Sequence, residues 1–184
     1  MSRRSSKKSA QAMIELALLA PIFFLMLSGV FDFARAAAVY TSLSNVTREG
    51  GRDAILASYG APGPNDAAIV GQVQTFAIGV PLSAAACIHG WSGAPAIHMP
   101  TTANTGWVYI LAGTATAGAA NAPAGQASGS AGAGCVSHIP AGAGTYPLKI
   151  EVVYNFVPIT PFAAQFMGST GFMMVVTSTM YTEF

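Results

Sequence analysis

Residues 10–35 read AQAMIELALLAPIFFLMLSGVFDFAR, and this apolar stretch decides the fold. Between Ala12 and Phe31 the one charged residue is Glu15. A helix rises about 1.5 Å per residue, so this run covers about 30 Å, which is enough to cross the hydrocarbon core of a bilayer. The stretch therefore predicts a transmembrane helix.

The residues before this stretch are basic and predict how the helix is oriented. The segment contains no acid and four positive charges, at Arg3, Arg4, Lys7 and Lys8. Lys and Arg beside a membrane span tend to stay on the cytoplasmic side. We expect a single-pass protein of the inner membrane, with its N-terminus in the cytoplasm and the rest of the chain outside it.

A cleaved secretory signal is the alternative interpretation of the same residues. The basic start, the apolar core and a small-residue site at Ala36 resemble its three parts. The apolar run is longer than is usual for such a signal, and Asp32 and Arg35 lie close to the cleavage site. On this alternative the protein would be secreted or displayed at the surface.

Composition also limits the classes of function. Only 8% of the 184 residues are charged, and the net charge is +1. An ordinary soluble protein has about 25% charged residues. Nucleic-acid binding requires a basic surface that displaces counterions from phosphates, so we expect no nucleic-acid partner. A chain with so little charge fits a membrane or an assembly better.

Beyond the membrane, the pattern predicts an α+β domain. The first helix continues to about Gly60, and Pro21 is expected to kink it. A second helix begins at Asn65 or Asp66 and ends before Pro81. Extended segments are predicted at 96–99, 107–111, 148–156 and 172–181. The simplest architecture is a small antiparallel sheet packed on the two helices, in which the strand at 148–156 is half-buried.

These predictions divide the chain into four parts. Residues 1–10 form a basic leader, 11–35 the transmembrane helix, 36–60 its extracytoplasmic continuation and 61–184 the small α+β domain. Within that domain, 112–145 consists almost entirely of Gly, Ala, Ser, Thr and Pro. Such a composition buries too little apolar area to offset the ordering of the backbone, so we expect a long exposed loop.

The chain offers little for catalysis or metal binding. Cys87 and Cys135 lack metal-type spacing, and outside the cytoplasm they predict a disulfide. The three histidines, His89, His98 and His138, are expected to be loop residues rather than ligands. The sequence contains no G-x-S-x-G, H-E-x-x-H or Walker motif,. We expect no enzyme activity, no cofactor and no metal, and keep an anchored enzyme or binding module as the alternative.

Glu15 is the residue that needs an explanation. A carboxylate in a membrane helix is costly unless it is paired or reaches the interface, so it is a candidate for function. The alternative is an interfacial carboxylate that the positive end of the helix dipole favours. A role in helix pairing requires a positive group in the same plane of the membrane.

The stretch 10–35 resembles the N-terminus of TadE-like proteins, minor pseudopilins of the tight-adherence (Tad/Flp) pilus system. The family pattern is a basic leader ending in Gly, a Glu at the fifth mature position, an apolar run with Pro, and then Gly, an acid and Arg. Matching positions in this chain are Glu15, Leu16, Pro21, Gly29, Asp32 and Arg35. The segments 48–52, 154–161 and 177–183 are similar to later parts of the family.

The resemblance implies a function in assembly. A prepilin peptidase would cleave between Ala10 and Gln11, and Glu15 would then pair with the new amino terminus of Gln11 in a neighbouring subunit. Ala10 stands where the family has Gly, and Leu16 where it has Phe or Tyr, so slow cleavage and retention of the leader are both open. The implied partners are other pilin or pseudopilin subunits, the Tad assembly platform and the peptidase.

Overall fold

The computed structural model describes residues 3–57, 66–85, 100–112, 146–160, 163, 165 and 171–182. Its elements, in chain order, are two helices and four strands: α1 (Arg3–Ala57), α2 (Asp66–Phe76), β1 (Leu82–Ala84), β2 (Thr105–Ala112), β3 (Tyr146–Phe156) and β4 (Phe172–Thr182). The predicted α+β class, with a long N-terminal helix, a short second helix and a small sheet, is confirmed.

Helix α1 is continuous over 55 residues. It runs through Pro21, whose ring removes one backbone hydrogen bond without ending the helix,. The predicted continuation of the helix beyond residue 35 is confirmed as far as Ala57. The kink at Pro21 stays a prediction.

The sheet is mixed, which corrects the expected antiparallel arrangement. Its strand order is β1-β2-β3-β4. The pairs β2–β3 and β3–β4 are antiparallel, but β1 pairs with β2 in parallel. Neighbouring strands joined by a tight hairpin are antiparallel. The chain between Ala84 and Thr105 is long enough to return to the end of the sheet at which β1 begins, so β2 can run parallel to β1. The three-residue strand β1 was not predicted from the sequence.

The strands lie lengthwise along residues 32–57 of α1, which we call its upper half. Near one end of the sheet, Asp32 accepts a hydrogen bond from the backbone of Ile159 just beyond β3. Near the other end, Gly51 lies against Met180 of β4. From Asp32 to Gly51 the helix rises about 28 Å, and from Phe172 to Met180 the strand extends about 27 Å. β4 therefore runs in the same direction as α1, and β3 runs opposite to it.

The hydrophobic core lies between the upper half of α1, helix α2 and one face of the sheet. Leu43, Val73 and Ile150 are among its fully buried side chains. Gly50 lets α2 approach closely, because a Cβ at this position would overlap Val73 Cγ2. Leu43, the first buried core residue of α1, thus lies about two helical turns beyond the apolar stretch at 10–35.

Strand β3 is buried on both faces, so the expectation of a half-buried strand was wrong. Lys149 and Glu151, the polar positions of its alternating pattern, are both buried. The Lys149 Nζ and Glu151 Oε2 atoms lie 2.8 Å apart, which lets the two charges leave water together,. Strand β3 lies between β2 and β4, so side chains of both neighbouring strands flank its own side chains on each face of the sheet.

Several predictions fall on residues that the structure does not describe. These are the extended segment 96–99, the loop 113–145, the histidines His89, His98 and His138, and the cysteines Cys87 and Cys135. The disulfide therefore stays a prediction.

Candidate functional site

The lower half of α1, residues 10–31, is a bare apolar rod. It contains a window of 18 residues apolar enough to cross a membrane, and none of that window is buried in the rest of the protein. Large apolar side chains such as Leu19, Phe24 and Met26 are exposed on it. Because water does not favour such a surface, this half of the helix needs a membrane or another helix around it.

Six of the predicted site residues lie on this rod. All six are exposed: Ala10, Gln11, Glu15, Leu16, Pro21 and Gly29. Among the described residues Glu15 has no ion-pair partner. A Cβ atom added at Gly29 would have no neighbouring atom within 4 Å.

Two further predicted site residues, Asp32 and Arg35, lie together where the rod meets the domain. Asp32 is 5% exposed. Its Oδ1 accepts the backbone N–H of Ile159 at 3.1 Å, and its Oδ2 accepts the N–H of Thr160 at 3.1 Å. The Thr160 hydroxyl also donates to Oδ2. One carboxylate on α1 therefore holds the bend that follows β3.

Arg35 binds the same bend from the next turn of the helix. Its guanidinium donates to the carbonyl of Val157 and, at 3.4 Å, to Asn104 Oδ1. The Cζ atom also lies 4.4 Å from the centroid of the Phe156 ring, within the range of a cation–π contact,. The Arg35 Nε to Asp32 Oδ1 distance of 4.0 Å makes the two charges an ion pair.

Asn104 completes this arrangement, which we call the clamp (Asp32, Arg35, Asn104 and the bend at 157–160). The Asn104 backbone has a φ of 56°, a left-handed conformation that Asn tolerates better than most residues,. In that conformation Asn104 Oδ1 accepts the Val157 N–H at 3.1 Å, and the Asn104 N–H donates to the Asn155 carbonyl at 2.8 Å. The start of β2 and the end of β3 are thereby tied to Arg35.

Gly171 allows the chain to enter β4 beside the clamp. Its φ is +75°, and a Cβ there would lie 2.5 Å from the Phe156 carbonyl oxygen. Glycine alone fits both conditions without strain. Nearby, burial raises the pKa of the Tyr154 phenol, and the positive charge of Arg35 acts in the opposite direction.

An apolar groove of about 650 Å³ opens beside the clamp, between α1 and the β4 side of the sheet. Phe33, Ala37 and Tyr40 line it from the helix, and Pro158 and Met174 from the domain. Its wall is almost entirely carbon, so it suits an acyl chain or an apolar side chain rather than a polar substrate.

The geometry of the clamp supports packing, because Asp32 and Arg35 join helix α1 to the sheet. Among the residues that the structure describes, no group of three or more His, Cys, Asp or Glu side chains could hold a metal ion. Asp32 and Arg35 bind mainly the protein's own backbone and also contact the side chains of Thr160 and Asn104. Sequence reasoning missed Asn104, which belongs to no motif. It included Thr160 only within the family-like segment 154–161, because the contacts of both residues depend on the tertiary fold.

Comparison with known families agrees with this picture of the helix. The family model described as "TadE-like protein" matches residues 10–52, which comprise the apolar rod and most of the helix packed on the domain. The resemblance noted in the sequence is therefore confirmed for this region. Neither the curated proteins nor the solved structures compared with the chain gave a match. The family match and the apolar N-terminal helix fit a membrane component associated with the Tad pilus.

Proposed function

We propose that this protein is a membrane-anchored, non-enzymatic pseudopilin-like component of Tad/Flp-type pilus assembly or secretion. It acts by packing its N-terminal helix against other helices in the inner membrane. Its N-terminus is cytoplasmic, and its α+β domain lies on the extracytoplasmic side. Its partners are pilin or pseudopilin subunits and the assembly platform.

One observation carries the proposal: a single helix divides into an exposed apolar half and a half packed on a domain. The family match over residues 10–52 supports the pilus context. A simple anchor needs only apolar residues, whereas this one contains Glu15 within the apolar run and in an exposed position. Carboxylates at membrane depth are retained where they have a partner.

Glu15 is the residue through which neighbouring subunits pair in this proposal. Removal of residues 1–10 by a prepilin peptidase creates a positive amine on Gln11, one turn from Glu15 along the helix. In an adjacent parallel helix displaced along its axis, that amine can neutralise the carboxylate. The residues on the same rod that would shape the contact are Leu16, Pro21 and Gly29, with Asp32 and Arg35 at its upper end.

Substitution of Glu15 tests the pairing. Glu15→Ala should abolish or strongly reduce pilus assembly while the protein still enters the membrane, because the change makes the span more apolar. Glu15→Asp is the matched control, since it keeps the charge and should retain part of the activity. Pili assembled at the normal level by the Glu15→Ala strain would contradict the pairing role.

The N-terminal residue of the mature protein tests the processing. We expect Gln11 as the first residue of the membrane-bound form in a strain with the peptidase, and Met1 in a strain that lacks it. Ala10→Gly, which restores the family residue, should speed the conversion. Recovery of a soluble form that begins at Ala37 would instead support a cleaved secretory signal and contradict the anchor.

A further inference from the structure

The end of the domain nearest the apolar rod carries exposed apolar side chains on two separate segments. The first segment is the bend at 157–160, which Asp32 and Arg35 hold by its backbone. This bend therefore lies beside the turn of α1 that directly follows the apolar rod. Its Ile159 side chain is 68% exposed, although the Ile159 backbone is fixed.

The second segment is the turn at 77–80, between α2 and β1. The Val80 N–H donates to the Ala77 carbonyl at 3.2 Å and closes this turn. β1 starts at the same end of the sheet as β2, because Leu82 pairs with Gly106 and the Gly106 N–H donates to the Pro81 carbonyl at 2.9 Å. Asn104 of the clamp precedes Gly106 by two residues, so this turn lies at the clamp end of the domain.

Ile78 lies in that turn and is 87% exposed. Outside α1, Ile78 and Ile159 are the two most exposed large apolar side chains among the described residues. Phe33, 76% exposed, directly follows Asp32 on the helix and so lies at the same end of the domain. We call Phe33, Ile78 and Ile159 the basal surface.

The length of the rod sets the depth of this surface. The run from Ala12 to Phe31 covers about 30 Å, the thickness of the hydrocarbon core of a bilayer. The headgroup layer adds about 5–7 Å on each side, which corresponds to one further helical turn, residues 32–35. A bilayer that covers this turn reaches the bend at 157–160 and the base of the domain.

The electrostatics of the base permit that contact. Asp32, the acid at this depth, has its carboxylate covered by two backbone N–H groups, the Thr160 hydroxyl and Arg35. No fully exposed charged side chain lies at the base among the residues that the structure describes. The base of the domain can therefore enter the membrane interface without burying an unpaired charge.

We propose that the basal surface inserts into the outer interface of the inner membrane, so that the domain rests on the lipid as well as on its anchor. The occupant is the phospholipid bilayer itself, because the surface adjoins the outer end of the apolar rod and the charges there, Asp32 and Arg35, are paired with each other. The consequence is a fixed orientation: contacts through both Ile78 and Ile159 restrain the domain from tilting relative to the membrane. This inference rests on the proposed membrane anchoring of α1.

Site-specific photocrosslinking to lipid tests the proposal on the full chain. p-Benzoylphenylalanine replaces Ile159, Ile78, Met26 or Tyr181 in four separate variants, each reconstituted in phosphatidylcholine–phosphatidylglycerol vesicles. Met26 lies in the middle of the rod and reports on the anchor. Tyr181 is the matched control: it is 62% exposed and pairs with Pro147 at the opposite end of the sheet. All four side chains are exposed, so no core contact is lost.

The expected result is a phospholipid adduct, seen by mass spectrometry, at Met26, Ile159 and Ile78 and none at Tyr181. An adduct at Met26 with none at either isoleucine would overturn the basal surface and leave the anchor intact. Absence of an adduct at Met26 would overturn the anchor and this inference with it. A crosslinked dimer in place of a lipid adduct at Ile159 and Ile78 would also overturn the inference, because the surface would then join two copies of the chain.

Discussion

The two halves of α1 belong to one uninterrupted helix and yet have opposite environments. Residues 10–31 expose their apolar side chains on every side, whereas Leu43, Val46 and Thr47 of the upper half are buried against the domain. The boundary is Asp32, which is the first buried residue after Ala10. Both halves are helical, so the surroundings and not the secondary structure distinguish them.

On the proposed anchoring, folding and membrane insertion depend on different halves of α1. The stability of the domain should depend on the upper half and be indifferent to side chains of the lower half. Insertion and subunit packing should show the reverse dependence. The clamp joins the two halves, because it fixes the base of the domain to the turn at which the environment changes.

The largest expected effect is the loss of a core side chain from the upper half. Leu43→Ala should lower the free energy of unfolding by about 2–5 kcal/mol, because Leu43 is fully buried and its removal leaves a cavity,. Leu19→Ala, the same change on the exposed half, should leave the unfolding of the domain unchanged. Chemical denaturation of both variants in detergent, followed by near-UV circular dichroism, measures the difference. Equal destabilisation would show that the two halves are not separate.

The second-largest decrease in the free energy of unfolding is expected for loss of the clamp. Asp32→Ala removes the acceptor for the N–H groups of Ile159 and Thr160, and should cost about 2–3 kcal/mol because buried donors lose a charged partner,. Asp53→Ala is the matched control on the same helix, a half-buried carboxylate outside the clamp. Hydrogen exchange of the Ile159 and Thr160 amides should increase in the first variant alone. Unchanged exchange there would contradict the clamp.

Substitutions of the two adjacent glycines, Gly50 and Gly51, should have smaller effects on stability, and these effects should differ in sign. Gly50→Ala should destabilise the domain by about 1–2 kcal/mol, because the new methyl overlaps Val73 Cγ2 and this overpacking exceeds the gain in helix propensity,. Gly51→Ala meets only the flexible end of Met180 at 3.4 Å, and should be neutral or stabilising by up to about 1 kcal/mol,. Thermal melting of the two variants should move in opposite directions. A shift of the same sign in both would mean that the close approach of α2 to Gly50 is not a packing constraint.

The smallest effect is expected for the exposed ion pair of the upper half. Arg52 Nη1 and Glu49 Oε2 lie 3.7 Å apart with both side chains largely in water. Arg52→Ala should therefore change the free energy of unfolding by less than about 0.5 kcal/mol. The comparison of denaturation curves at low and high salt checks this. A loss as large as that of the clamp would show that charge on this face has an unrecognised partner.

The sequence was sufficient for the elements that local physics dictates. The uncharged run to Phe31 predicted the apolar half of α1, and alternation at 148–156 predicted β3. Asn65 or Asp66 predicted the start of α2, but the helix ends at Phe76 and the residues before Pro81 form the turn at 77–80. In each case the signal is a periodicity or a capping residue that acts within a few positions of the chain.

Contacts between distant segments were not predictable in this way. Asp32 and Arg35 were visible as motif positions, but nothing in the sequence indicated that their partners are Thr160, Val157 and Asn104. The parallel β1 is too short to give a periodic signal, and the burial of Lys149 and Glu151 depends on the neighbours that β3 acquires in the sheet. These features follow from the topology, which joins residues far apart in the chain, such as Asp32 and Thr160.

The most direct test of the division at Asp32 places charge in the lower half and follows both functions of the helix. Leu19→Arg combined with Phe24→Arg should cost about 5–7 kcal/mol of insertion, because each arginine costs about 2.5–3.5 kcal/mol at the centre of a span. After a carbonate wash, the unaltered chain should float with vesicles in a sucrose gradient and the double variant should not, while in detergent both domains melt at the same temperature. A double variant that still floats, or whose domain melts at a lower temperature, would contradict the account.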